Sequence, residues 1–260
     1  SGVWQFDGAD TGRDAGWDTT GNRPDTTSDT TDNGRDSAMG ASDGGVDSGM
    51  DVTPTLPQVS AGSAYTCAVV AGEEVECWGL GSKPGDEPYA GKPDGGKHEF
   101  DKNQALPPSG TFIQVSSGGT HTCGVTTNQT VKCWGEAFGE TNAPAGHFKQ
   151  VTAGGVHTCG VTTEQKVECW GVDTDGQTVP PSNTTFRQVS GGAFHTCGLK
   201  TNGEIKCWGG NADGQSTPPF EQFKWVSAGD YSTCGVTTEG SVKCWGRDGY
   251  GQATPPSGAF

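Results

Sequence analysis

The side chains best suited to covalent chemistry in this sequence are ten cysteines, which occur as five pairs. In every pair the second cysteine follows the first by ten positions, and Trp-Gly comes directly after it. The pairs are Cys67/Cys77, Cys123/Cys133, Cys159/Cys169, Cys197/Cys207 and Cys234/Cys244. Pairs at constant spacing with no cysteine left over favour disulfides over buried free thiols. Zinc is disfavoured because no CxxC occurs and each repeat offers only two sulfurs and at most one histidine.

The fourth pair shows how this spacing brings two sulfurs together. Cys197 and Cys207 lie symmetrically about the tripeptide 201–203, whose third residue is glycine. A three-residue hairpin loop favours glycine at its last position because that position is left-handed. Leu199 then faces Ile205, and the two cysteines face each other within the reach of a disulfide. Disulfides predict an oxidising compartment, so we expect an extracellular or cell-surface protein, with the periplasm as an alternative.

The cysteine pairs also mark an internal repeat. From the second pair on, the first cysteines are separated by 36, 38 and 37 residues. A constant period of this length is typical of solenoids, propellers and repeat arrays. Short stretches with alternating apolar residues are separated by glycine, proline, asparagine and aspartate, which predicts short strands and turns. The predicted copies span 56–106, with an insertion at 80–102, and then 107–143, 144–181, 182–219 and 220–256, with a partial repeat at 257–260.

The repeat resembles that of the regulator of chromosome condensation family. The residues that carry the resemblance are His157–Val161, Cys169–Gly171 and Gly176-Gln177, followed by Pro-Pro, and it extends over about 56–260. The resemblance implies a β-propeller in which each repeat is about one four-stranded blade, and the cysteine pairs are similar to those of bacterial extracellular members. We therefore expect an all-β propeller of about five short blades, each with a disulfide inside it, although seven blades are usual in the family.

Three histidines occupy one position of the repeat. They are His121, His157 and His195, with Tyr65 and Ser232 in the first and fifth copies. One histidine per blade does not form a cluster, so we interpret them as structural side chains that bond to backbone at a turn. The tryptophans after the second cysteines are interpreted as packing between blades. No catalytic set or cofactor motif recurs, and we expect no enzyme activity, cofactor or metal site.

The first repeat carries about nineteen extra residues between Trp78 and Gln104, compared with the later copies. Insertions in repeat proteins map to loops on one face, often the binding face. The insertion at 80–102 is therefore a candidate binding loop, and the alternative is a tolerated surface excursion. Its candidate contact residues are Lys83, Asp86, Glu87, Tyr89, Lys92 and His98.

Two asparagines, Asn128 and Asn183, fit the N-glycosylation sequon and are candidate glycosylation sites. The last residues, from Pro255, resemble the opening of another repeat. Three arrangements are consistent with this ending: a closed ring of five, a fragment of a larger propeller, and an open array whose strand edges pair between chains.

Residues 1–55 form an acidic leader of different composition. They contain eleven aspartates, three arginines, no lysine, no glutamate and no cysteine, a net charge of 3 − 11 = −8 out of −15 for the chain. Such composition predicts disorder, and it resembles the spacer between a lipid anchor and a folded domain in bacterial surface proteins. The sequence contains no long apolar stretch that predicts a membrane span.

The acidic balance argues against nucleic-acid binding. Three functions remain as hypotheses. The first is a non-enzymatic module that binds a protein or glycan at the cell surface. The second is a structural subunit of an extracellular filament or surface assembly, with self-assembly through strand or leader contacts. The third, implied by resemblance alone, is a secreted enzyme inhibitor of the β-lactamase-inhibitor type.

Overall fold

The computed structural model describes residues 58–80, 102–136 and 138–258. The predicted acidic leader and the candidate contact residues of the insertion lie outside these ranges. The described residues form fifteen strands and no helix, which confirms the all-β prediction. The strands are β1 Gln58–Ala61, β2 Tyr65–Val69, β3 Val75–Gly79, β4 Phe112–Ser117, β5 His121–Thr126, β6 Val131–Gly135, β7 Phe148–Ala153, β8 His157–Thr162, β9 Val167–Gly171, β10 Phe186–Gly191, β11 His195–Lys200, β12 Ile205–Gly209, β13 Phe223–Ala228, β14 Ser232–Thr237 and β15 Val242–Gly246.

The strands form five antiparallel sheets, each made of three strands that are consecutive in sequence. Each sheet corresponds to one repeat and is one blade. The expectation of four strands per blade was wrong. The connection from β9 to β10, for example, runs through turns and holds Gly176, Pro180 and Pro181. Proline lacks the backbone N–H that a strand ladder needs, so this connection adds no fourth strand.

The hairpins have the predicted register. Cys197 pairs with Cys207 and Leu199 with Ile205 across β11 and β12. Gly203 ends the intervening loop in the left-handed region with φ of 90°. In the second and third blades the equivalent left-handed residues are Gln129 and Gln165, with φ of 63° and 65°. The loop geometry therefore persists where the sequence does not supply glycine.

All five predicted disulfides are present, and each joins the second and third strands of its own blade. The Cα–Cα distances are 4.0 to 4.1 Å. Such short distances are typical of antiparallel pairs that are not hydrogen-bonded to each other, where side chains approach most closely. The pairing is confirmed for all ten cysteines, and the bonds are Cys67–Cys77, Cys123–Cys133, Cys159–Cys169, Cys197–Cys207 and Cys234–Cys244.

The two cysteines of a pair differ in burial, although the sequence places them symmetrically about the loop. The first cysteine is fully buried in blades one to four, as Cys67 and Cys123 show. The second cysteines Cys77, Cys133 and Cys244 are only half-buried. The third strand lies at the edge of its sheet, so its cysteine packs at the margin of the core, where Cys77 and Cys133 border their clusters. These cysteine residues are therefore less buried than their partners, which the sequence pattern does not predict.

The apolar core lies between successive blades rather than within one blade. Phe186 and Val189 of the fourth blade pack against Cys159 and Val161 of the third, and Trp208 completes the cluster. Equivalent clusters join the other neighbouring blades. A three-stranded sheet has two faces to cover, and each of the second, third and fourth blades buries one against the blade before it and the other against the blade after it. The interpretation of the repeat tryptophans as packing residues is confirmed for Trp208.

The first strand of blades two to five contains a β-bulge. In the second blade Phe112 pairs with Thr126 and Gln114 pairs with Val125, so Ile113 is an extra residue. The same shift occurs in the other three blades. The equivalent extra residues are Lys149, Arg187 and Lys224. A bulge bends the strand and redirects a side chain. Ile113 still packs against the core cluster between the second and third blades, whereas Lys149, Arg187 and Lys224 are exposed.

Candidate interaction site

Neighbouring blades are joined by a glutamine that pairs with backbone. Gln114 Nε2 donates to the Val151 carbonyl and its Oε1 accepts from the Val151 N–H, both at 2.7 Å. Gln150 makes the same two bonds with Val189, and Gln188 makes them with Val226 in the fifth blade. The amide therefore occupies the place of a strand residue at each of these blade contacts.

The histidines form a second, buried link between blades. His157 Nε2 lies 2.8 Å from Thr196 Oγ1, and Thr196 donates its hydroxyl proton to the Gln177 carbonyl at 3.1 Å. Since that proton is committed, the hydroxyl accepts from His157, whose Nε2 carries the hydrogen. His121 and His195 make equivalent links. The predicted bond to turn backbone was therefore wrong, because the partner is a threonine side chain of the next blade.

The histidines are held neutral by their surroundings. Burial, together with a smaller contribution from the neighbouring His195, lowers the pKa of His157 to about 4. Burial likewise lowers the pKa of His195 to about 4 and that of His121 to about 3. A neutral imidazole with one committed hydrogen fits a structural role, and these side chains are fully buried.

The first strands of the five blades end in glycine-rich turns that line a cavity, and we call it the glycine mouth. It is a cavity of about 400 Å³. A Cβ on Gly154 would lie 2.6 Å from the carbonyl oxygen of Gly192 in the next turn. The N–H of Gly155 donates to that same carbonyl at 3.0 Å. The turns are therefore stacked backbone on backbone. The lining residues are Ala61, Gly62, Ser63, Ser117, Gly118, Gly119, Ala153, Gly154, Gly155, Gly191, Gly192, Ala228, Gly229 and Asp230.

The insertion of the first repeat leaves the fold beside the glycine mouth. Leu80, its first residue, is buried and donates its N–H to the carbonyl of Ala64 at 3.0 Å. Ala64 directly follows Ser63 of the mouth. At the other end of the insertion, Lys102 forms an ion pair with Glu136 at 3.1 Å. The residues that flank the insertion, Leu80 and Lys102, are thus attached on the side of the blades where the glycine turns lie.

A second cavity, lined mainly by residues from the first halves of the same strands, has a different chemistry, and we call it the basic mouth. It is a cavity of about 480 Å³ lined by the bulge residues of blades three to five, by the glutamines that join blades, and by Trp225. The bulges place the basic side chains at the cavity wall, and Arg187 also reaches the Phe223 carbonyl of the next blade. The lining residues are Gln58, Gln114, Lys149, Gln150, Arg187, Gln188, Leu199, Lys224 and Trp225.

The outer faces of the first and fifth blades are open. Trp78 of the first blade is 51% exposed, whereas its counterpart Trp245 is 9% exposed. Gln252 of the fifth repeat is exposed, whereas its counterpart Gln215 is buried. Trp225 stands where the other blades have the joining glutamine and is 58% exposed. Groups that join blades elsewhere are therefore accessible to another molecule at both faces.

The remaining predicted sites lie apart from both mouths. Asn128 is exposed in the hairpin loop of the second blade, and Asn183 is exposed in the turn before β10. Their glycosylation stays a prediction. Within residues 58–80, 102–136 and 138–258, no group of three or more histidine, cysteine, aspartate or glutamate side chains is arranged to hold a metal ion. The same ranges contain no helix long and apolar enough to cross a membrane.

Sequence reasoning missed the glutamine links and the basic mouth. A signal for the first is visible, because glutamine precedes valine at the same repeat position in four copies, as in Gln114-Val115 and Gln150-Val151. The basic mouth has a weaker signal, a cation directly before that position in three successive copies. The sequence does not show that these cations share a cavity, since a strand without a bulge would turn them elsewhere.

Comparison with known proteins identifies the repeat. The sequence model of the regulator of chromosome condensation (RCC1) repeat matches residues 112–137, 148–177, 186–215 and 225–252. No curated protein matches the chain. Among solved structures, similar ones are the ectodomain of the Physcomitrella patens receptor kinase CR4 and the CRINKLY WD40 ectodomain of the Arabidopsis thaliana receptor kinase ACR4. Prp20p from Saccharomyces cerevisiae has a similar fold.

The likeness to the two plant ectodomains covers most of this chain. CR4 is 30% identical over 72% of this chain, with a TM-score of 0.56. ACR4 is 28% identical over 72%, with a TM-score of 0.55. Prp20p is 17% identical over 73% of this chain and 57% of its own, with a TM-score of 0.58. The chain spans 49% of the CR4 structure and 62% of the ACR4 structure. With its matched repeats and stacked blades, the chain belongs to the regulator of chromosome condensation repeat family.

Proposed function

We propose that this protein is a non-enzymatic extracellular interaction module that binds a protein or a glycan at the cell surface. The observation that carries the proposal is the glycine mouth with the insertion attached beside it. Five turns from five blades converge there, and the departure of the insertion from Leu80 is fixed by the Leu80–Ala64 hydrogen bond. Loops held on a rigid scaffold are where binding residues concentrate.

The extracellular location is supported by two independent features. Disulfides persist in oxidising environments and are rare in the cytosol, and every cysteine of this chain is in one. The CR4 and ACR4 structures are ectodomains of receptor kinases by name. Both features point to an extracellular location, and the cell surface is our proposal within it.

The scaffold is suited to binding because it resists deformation. Each disulfide holds the second and third strands of its blade together close to the glycine mouth. His157, which begins β8, pairs with Gly171, which ends β9, only two residue pairs from the Cys159–Cys169 bond. A pre-organised surface loses little conformational entropy on binding. The proposed contacts on the insertion are Lys83, Asp86, Glu87, Tyr89, Lys92 and His98.

The test is to replace residues 81–101 by a connection of the length that follows β9. The intact chain is labelled and applied to a printed glycan array and to intact cells of the source. We expect binding by the parent chain and its loss in the replaced chain, with an unchanged melting temperature. In the matched control, residues 211–214 of the corresponding connection after β12 are replaced by a sequence of equal length, and this variant should retain binding. Unchanged binding after replacement of 81–101 contradicts the proposal.

A structural role is a second candidate, favoured by the open faces of the first and fifth blades. The occupant we propose for each is the opposite face of a second copy, joined head to tail. Val59 of β1 is 65% exposed, although its counterpart Val115 is 1% exposed in the core between blades. Another blade seated on that face would bury Val59, as the first blade buries Val115.

Sedimentation velocity over a wide range of concentrations tests this candidate. We expect concentration-dependent association that Val59→Glu abolishes, because a carboxylate at the contact cannot be buried unpaired. The control is Val179→Glu, in a turn between blades and 63% exposed, which should associate like the parent chain. A parent chain that is monomeric at every concentration rejects this candidate.

A further inference from the structure

The basic mouth carries an inference that does not depend on binding at the glycine mouth, because the two cavities share no lining residue. Three cations, Lys149, Arg187 and Lys224, come from the bulges of three successive blades and line one cavity. No aspartate or glutamate lines it. This concentration of positive charge contrasts with the repeats as a whole, since the chain carries −15, of which the leader accounts for −8, leaving −7.

The three cations are not neutralised within the described part of the chain. The ion pairs found there involve Lys102, Lys166, Lys200 and Lys243, none of which lines the basic mouth. Like charges gathered around a cavity repel one another and are stabilised when an anion enters. The cavity therefore has an electrostatic preference for an anionic ligand.

One of the cations is held in position. Arg187 donates through Nη2 to the carbonyl of Phe223 in the next blade at 2.7 Å. A guanidinium carries five N–H donors, so the remaining four are available to a planar anion such as a carboxylate. Lys149 and Lys224 are exposed on either side in the repeat order and add charge without a fixed geometry.

The basic mouth also has an aromatic wall. Trp225 lines the cavity at the position where the preceding blades have glutamine, and it is 58% exposed. The accessible face of the indole can pack against the apolar face of a ligand ring. The residue therefore supplies a stacking surface beside the cations.

Polar donors complete the lining. The amides of Gln114, Gln150 and Gln188 each donate one Nε2 hydrogen to the next blade. An amide nitrogen has two hydrogens, and these side chains are half-buried at the cavity wall. The second hydrogen of each amide can be donated to a ligand hydroxyl without breaking the contact between blades.

We propose that the basic mouth binds an anionic carbohydrate, a sugar ring that bears a carboxylate or sulfate group. The acidic group pairs with Lys149, Arg187 and Lys224, the apolar face of the ring stacks on Trp225, and ring hydroxyls accept from the glutamine amides. A cavity of about 480 Å³ is of the size that holds a small ligand. An acidic peptide would also pair with the cations. It would, however, leave the indole of Trp225 without a stacking partner and the second hydrogens of the glutamine amides without hydroxyl acceptors. A peptide would also extend beyond the cavity over a surface of net negative charge.

Isothermal titration calorimetry of the full chain tests the site with digalacturonate, and with cellobiose as a neutral disaccharide. We expect digalacturonate to bind, cellobiose not to bind, and added sodium chloride to weaken the binding because exposed charges are screened. In the Lys149→Ala/Lys224→Ala variant we expect at least about a tenfold loss of affinity, since two charge-assisted contacts are removed. The matched control is Lys206→Ala, an exposed lysine outside the cavity, which should bind like the parent chain.

A second variant isolates the stacking surface. Trp225→Gln installs the residue that blades two to four use at this position, so we expect it to fold, as circular dichroism would verify. It should bind digalacturonate more weakly and lose the change in tryptophan fluorescence that the parent chain shows on binding. Replacement of 81–101 should leave digalacturonate binding unchanged, which separates this site from the glycine mouth. The proposal is overturned if digalacturonate does not bind, if Lys149→Ala/Lys224→Ala leaves its affinity unchanged, or if tetraglutamate binds equally well and depends equally on Trp225.

Discussion

The side-chain amide of Gln150 pairs with the backbone of Val189 in the next blade through two hydrogen bonds, one in each direction and both 2.8 Å long. Two residues separated by 39 positions are thereby joined as if they were neighbours in a sheet. Because the same link recurs at successive blades, the three-stranded sheets are held together by polar bonds as well as by the aromatic core. The fifth blade has Trp225 instead, which leaves that face free for other contacts.

Removal of this link should destabilise the protein more than its surface position suggests. In Gln150→Ala, the N–H and carbonyl of Val189 lose their partners at a blade contact. Each buried polar group left unpaired costs about 1–3 kcal/mol, so we expect a loss of about 2 kcal/mol or more in the free energy of unfolding. Urea denaturation followed by tryptophan fluorescence measures it.

The control for this prediction is Gln222→Ala, an exposed glutamine in the turn before β13. Its free energy of unfolding should change by less than about 0.5 kcal/mol, as is usual for surface substitutions. Equal effects of the two variants would contradict the role assigned to the Gln150 amide.

A methyl group should be tolerated at one glycine turn and not at another. In Gly154→Ala the new Cβ would lie 2.6 Å from the Gly192 carbonyl, whereas in Gly229→Ala its nearest neighbour would be 3.5 Å away. Overpacking against backbone typically costs about 1–3 kcal/mol. We therefore expect Gly154→Ala to lower the thermal midpoint by several degrees and Gly229→Ala to leave it nearly unchanged. Similar midpoints for the two variants would show that the turns are not stacked as described.

The buried histidines should make the fold sensitive to mild acid. The pKa of His157 is about 4 in the folded state and the ordinary value is 6.5, so the unfolded chain binds the proton first as pH falls. The contribution of His157 is fully present above about pH 6.5 and is lost as the pH falls towards 4, on the order of 3 kcal/mol at most. Urea midpoints measured across this pH range should fall steadily on acidification.

The variant His157→Gln tests that assignment, because glutamine can still donate to Thr196 but does not titrate. We expect a shallower dependence of its stability on pH between about 6.5 and 4 than in the parent chain. His147→Gln, at an exposed histidine, serves as the control and should retain the parent slope. A His157→Gln slope equal to that of the parent would refute the assignment.

The buried carboxyl of Glu140 should affect stability with the opposite pH dependence to that of His157. Glu140 occupies the repeat position of Gln177 and Gln215 and is 1% exposed. Burial raises its pKa, so its contribution is present at low pH and is lost as the pH rises above the unfolded value. Glu140→Gln should therefore raise the melting temperature at pH 7 and have little effect in acid. Glu239→Gln, at an exposed position, should change neither, and a lower melting temperature for Glu140→Gln at pH 7 would contradict the prediction.

Reduction of the five disulfides should change the mass of the protein and lower its free energy of unfolding. The intact mass should rise by ten hydrogens, one for each of the ten cysteines. Alkylation in denaturant before reduction should add no label, and any labelled cysteine would contradict the pairing. Removing one bond, in Cys159→Ala/Cys169→Ala, should cost about 2–4 kcal/mol in the free energy of unfolding.

The features that sequence reasoning predicted are local ones. The cysteine pairs, the facing of Leu199 and Ile205, and the left-handed loop residue all lie within one hairpin, where ten residues determine the register. The number of strands per blade is three and not the four that the family resemblance implies, because prolines such as Pro180 and Pro181 in the connections between blades cannot donate to a strand ladder. The candidate loop at 80–102 was found by its length alone, and its attachment beside the glycine mouth needed the position of Leu80 relative to Ala64.

By itself, the sequence determined the repeat, the disulfide in each hairpin and the all-β class, because these depend on contacts between residues close in the chain. The tertiary structure decided which groups meet across blades, such as Gln150 with Val189 and His157 with Thr196. It also decided that Lys149 and Lys224 share one cavity. The physical reason is that these contacts arise from the stacking of blades and from bulges that redirect side chains, and a residue's type does not report either one.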